Sequence, residues 1–67
     1  MRVVDLYKVL DVALMVIIVD NENGNIIKAG NPNSIPVGIL NDMVVSIEST
    51  PSNCIYDIIV KIDAIEM

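Results

Sequence analysis

VALMVIIVDNENGNIIKAG, Val12 to Gly30, is the stretch on which the fold turns. Its first half is apolar without a break from Val12 to Val19. A bilayer needs ~20 such residues, so the run is far too short to span one and has the length of a strand. An apolar run without alternation describes a strand covered on both faces or central in a sheet, expected here over Ala13 to Asp20. Asn23-Gly24 then reads as the centre of a two-residue type I′ turn, whose two central positions both require φ > 0. That turn sets Glu22 opposite Asn25, Asp20 opposite Ile27 and Val19 opposite Lys28. NIIKAG forms the returning strand.

The tip of this hairpin, DNENGN (Asp20 to Asn25), has the oxygen-rich look of a calcium loop. An EF-hand loop places oxygen ligands at positions one, three and five, glycine at six and a bidentate Glu at twelve. With Gly24 at six, position one is Val19 and position twelve is Gly30. Both essential ligands are missing, so the stretch is read as a polar turn and no metal site is expected.

Upstream, Asp5 is the expected N-cap of a short helix running to about Asp11, with Leu6, Val9 and Leu10 on one face. Downstream, GNPNS (Gly30 to Ser34) is a breaker cluster. Ser34 is expected to cap a second short helix, with Pro36 in its first turn and Ile39 and Leu40 facing the core. MVVSIES alternates, placing Met43, Val45 and Ile47 on one face and Val44, Ser46 and Glu48 on the other. TPSN turns the chain into a longer strand, CIYDIIVKID, with Tyr56, Ile58, Val60 and Ile62 on one side. Ile55, Asp57, Ile59, Lys61 and Asp63 take the other. The order is α-β-β-α-β-β: a single small α+β domain over residues 1–67, in two layers. Its sheet is expected to have four mainly antiparallel strands, with two short helices on it.

Composition narrows the chemistry. Of 67 residues 54% are hydrophobic, with no Trp, no Phe and two Tyr, so Val, Ile, Leu and Met must build the core. Nine acids against four bases give a net charge of −5. That balance repels phosphate backbones and argues against direct nucleic-acid binding. Histidine is absent, which removes the usual base for a Ser or Cys nucleophile at neutral pH. The single cysteine, Cys54, can form no internal disulfide and has no neighbouring cation in sequence, so it reads as a small, partly buried apolar residue. The three glycines are dispersed and make no phosphate loop. No catalytic residues and no cofactor are expected. The start, MRVVDLYKVLD, lacks the apolar core of a signal peptide, and a cytoplasmic protein is the expectation.

Two features exceed what a plain small domain requires. The aliphatic content is too large for one sheet face and two short helices to hide, so Ile55, Ile59 and Val44 are expected to form a self-association surface. A homo-oligomer, dimer or higher, follows. The acidic excess can steer the chain to a basic partner, and Asp20, Glu22, Glu48, Asp57 and Asp63 are the candidate partner-binding residues. Solubility alone is the plainer explanation of such acids.

VVDLYKVLD, VIIVDNENGNII and LNDMVVSIES together cover roughly half the chain. In these segments the sequence resembles small accessory proteins encoded by phages and prophages of Gram-positive bacteria. The resemblance implies a non-catalytic inhibitor of a host protein, of the anti-defence kind, working in the host cytoplasm. A sponge that sequesters a nucleotide signal at subunit interfaces is the competing expectation, and a virion assembly protein a third.

Overall fold

In the computed structural model, which describes residues 1–64, the first element is the helix α1 (Val3–Val9). It starts three residues earlier than the cap at Asp5 predicts. Arg2 is the N-cap, and Asp5 works from inside the first turn, its carboxylate accepting the Arg2 N–H at 3.1 Å. An acid there also complements the positive end of the helix dipole. The Val3 and Val4 N–H groups, which no intrahelical carbonyl can reach, donate to Asp42 O and Leu40 O at 2.9 and 2.8 Å. The helix is thus tied at its start to a distant turn. It ends before Asp11 because that carboxylate accepts the Ala13 N–H at 2.8 Å, turning the chain instead.

The strand that follows, β1 (Val16–Asp20), begins three residues later than the expected start at Ala13, since that turn occupies the beginning of the apolar run. It pairs antiparallel with β2 (Ile26–Gly30), with Ile18 opposite Lys28 and Val19 opposite Ile26 across a bulge. This differs from the register that a two-residue turn imposes. The loop has four residues instead: Gly24 N–H donates to Asp20 O at 2.8 Å, and Asp20 N–H to Asn25 O at 2.9 Å. Gly24, at φ 75°, is the one loop residue with positive φ, and Asn23 is not left-handed. Side chains fix this choice. Asp20 Oδ1 accepts the Glu22 N–H and Asn23 Oδ1 accepts the Asn25 N–H, each at 2.8 Å. The polar residues of DNENGN build the turn itself.

The second expected helix is replaced by two short 3-10 turns, Pro32–Ser34 and Val37–Ile39. Prolines are the cause. Pro36 lacks a donor and holds Ile35 extended at ψ 124°, so no helical run can cross it. Ser34 sits inside the first turn, its Oγ donating to Asn31 O, and is no helix cap. Ile39 and Leu40 nonetheless face the core as expected.

Two further strands, β3 (Met43–Ser49) and β4 (Ile58–Asp63), pair antiparallel. The sheet order is β2-β1-β4-β3, and its central pair, β1 with β4, is parallel. The sheet is therefore mixed, with two antiparallel pairings flanking a parallel one. TPSN does turn, Cys54 N–H reaching Pro51 O at 3.0 Å, but pairing resumes only at Ile58. Ile55, Tyr56 and Asp57 belong to the connection, not to the strand. Thr50, whose hydroxyl donates to Tyr56 O, closes that loop.

A bulge at Val45 breaks the alternation expected of β3: Val44 lies opposite Ile62, whereas Ile47 lies opposite Val60. Val44, expected on the association surface, therefore lies against the core. That core is aliphatic throughout: Val3 and Leu6 of α1, Val16 and Ile18 of β1, Val60 and Ile62 of β4. Leu10, Leu14, Ile35, Ile39 and Leu40 surround it. All of these cover one face of the sheet. The other face, carrying Ile17, Val19 and Ile59, has no such cover among the described residues.

Candidate functional site

Parallel pairing puts the C-terminal ends of β1 and β4 side by side, and this builds the site. Asp20 closes β1 and Asp63 closes β4, while the Asn21 N–H extends the ladder by donating to Ile62 O at 2.8 Å. Glu22 follows in the hairpin turn. Asp20, Asn21, Glu22, Asp63 and Ala64 line an open hollow of about 400 Å³. Three carboxylates, Asp63 far in sequence from the other two, thus line one open concavity, with no Lys or Arg among its described lining residues. Asp20 is held in place by the Glu22 N–H, which donates to its Oδ1 at 2.8 Å.

The remaining two candidate acids lie elsewhere. Glu48 faces away from the core and pairs with Lys61 at 3.0 Å across β3 and β4, an ion pair both of whose side chains are more than a third exposed. Asp57 stands at the opposite end of the sheet, where its Oδ2 accepts the Met15 N–H at 2.8 Å and its own N–H donates to Met15 O at 2.7 Å. Its work is to anchor the connection to the start of β1.

Of the apolar candidates, Ile59 does lie on the open sheet face, whereas Ile55 is 76% exposed in the β3–β4 connection. Cys54 is exposed in the same connection rather than partly buried, since β4 starts four residues beyond it. Asn21 and Ala64 were invisible as site residues because only the parallel register brings them together. The same holds for Ile17 and Val19, whose place in an unbroken apolar run suggested cover on both sides.

The basic residues do not converge. Arg2 precedes α1, Lys8 lies in its last turn, Lys28 is on β2, and Lys61 is engaged by Glu48. Among the described residues no three His, Cys, Asp or Glu side chains come together as a metal-ligand set. No helix there is long and apolar enough to cross a membrane. Comparison of the chain with protein-family models, with curated proteins and with solved structures gave no match.

Proposed function

We propose that the protein is a non-catalytic binding module that takes a basic segment of a partner protein onto the acidic rim formed by Asp20, Glu22 and Asp63. One observation carries this reading: three carboxylates line one open hollow that has no Lys or Arg among its described lining residues. A cationic segment would meet complementary charge there, which steers and orients its approach. Such a module inhibits whatever its partner does by occupying the basic surface. The narrower expectation, a host defence protein as that partner, rests on the sequence resemblance alone.

The nucleotide-sponge reading is weaker on this geometry. Phosphates are held by Arg and Lys, and the four cations lie on separate parts of the fold. Calorimetric titration with an arginine-rich peptide tests the proposal. Neutralising the rim (Asp20→Asn, Glu22→Gln, Asp63→Asn) should weaken binding at least about tenfold, and raising salt should weaken it further. Glu48→Gln should leave it unchanged. Binding that ignores both salt and the rim substitutions would end this reading. Binding of a cyclic nucleotide with similar affinity would favour the sponge.

A further inference from the structure

We infer that the open face of the sheet is the contact surface for a second copy of this chain, two sheets stacking face to face about a twofold axis. By register, this face carries Ile17 and Val19 of β1, Ile59 of β4, and Ile26 and Ala29 of β2. The helix, both 3-10 turns and the core residues lie on the other side. Ile26 is 64% exposed, and Ile17, Val19, Ala29 and Ile59 are half-buried by their strand neighbours. An aliphatic stripe across three adjacent strands is a sheet face without its second layer.

Charge selects the occupant. The chain carries −5 overall, so two copies repel unless they meet through a neutral surface. This face is neutral at its centre, because its charges there, Glu48 and Lys61, neutralise each other. Asp63 stands at its end, on the acidic rim. A basic partner has nothing to bind on the aliphatic stripe, whereas an identical stripe matches it. A twofold contact is isologous and needs only such self-complementarity.

Size agrees. The molecule measures 39 × 24 × 16 Å, and its short dimension accommodates a sheet with one covering layer. Edge-on pairing is the poorer solution. Arg2 already bridges to Met43 and Met1 O accepts the Val44 N–H, so part of the free edge of β3 is occupied. A twofold pairing of β2 centred on Lys28 sets that cation against itself.

Sedimentation equilibrium from micromolar to submillimolar concentration should return twice the chain mass of 7.3 kDa. Ile59→Lys should raise the dissociation constant at least about tenfold, since a lysine cannot be desolvated in an apolar stack. Ile26→Lys should do the same, and its side chain is already exposed in each protomer, so the fold survives the change. Circular dichroism on both variants checks that survival. A one-chain mass throughout overturns the inference, as does a dimer that both lysine variants leave intact. Neutralising Asp20 and Glu22 should not dissociate the dimer, which separates this surface from the rim.

Discussion

Gly30 shows how one residue sets the path of the chain. Its φ of 149° lies where L side chains rarely go, and a Cβ built there would stand 2.8 Å from Ser34 Oγ. That hydroxyl is itself committed to Asn31 O at 2.7 Å. Gly30→Ala should therefore cost about 1–3 kcal/mol, from backbone strain and a contact that must give. Gly24, at φ 75°, has open space around its absent Cβ, so Gly24→Ala should cost only about 1 kcal/mol. Urea unfolding of the two variants checks the order, and equal losses would show that the Ser34 contact does not matter. At this scale the sequence was readable where chemistry is local. The polar turn and the breaker at Gly30 to Ser34 follow from residue type. The register within the turn did not, because Asp20 and Asn23 compete with the type I′ geometry through their own side-chain acceptors.

Elements were legible by period and misleading in their arrangement. Each of the four expected strands exists, and the short N-terminal helix does too. The second helix lost to Pro32, Pro36 and Gly38, whose combined effect outweighs the apolar spacing of Ile35, Ile39 and Leu40. The parallel pairing of β1 with β4 could not be read from adjacent segments, since it joins strands almost forty residues apart and antiparallel neighbours are the simpler expectation. A hint was nevertheless present in composition: VIIV and IIV are unbroken apolar runs, as central strands tend to be. Hydrogen exchange should follow the observed order. Amides of Ile17, Ile18, Ile59 and Val60 should be the slowest, while those on the free edge of β2 exchange faster. Uniform protection across all four strands would contradict a sheet with β1 and β4 at its centre.

Over the whole molecule, the parallel centre has two consequences that strand-by-strand reading misses. It brings Asp63 to the same end of the sheet as Asp20 and Glu22, which are distant in sequence, and it aligns Ile17 with Ile59 on the uncovered side. Acidic excess and aliphatic excess were both visible in composition. Their separation into a charged end and a neutral face was not, since it depends on register and on which side α1 covers. Glu48 and Asp57, acids by sequence like the others, have structural partners in Lys61 and Met15. In the proposed function the acidic end alone takes the basic partner. Residue-resolved NMR during titration with an arginine-rich peptide tests it most directly. Amide shifts should be confined to Asn21 through Gly24 and Ile62 through Ala64, and added salt should reverse them. Shifts spread evenly over Asp5, Asp11, Asp42 and Asp57 as well, or centred on the Glu48–Lys61 pair, would contradict it.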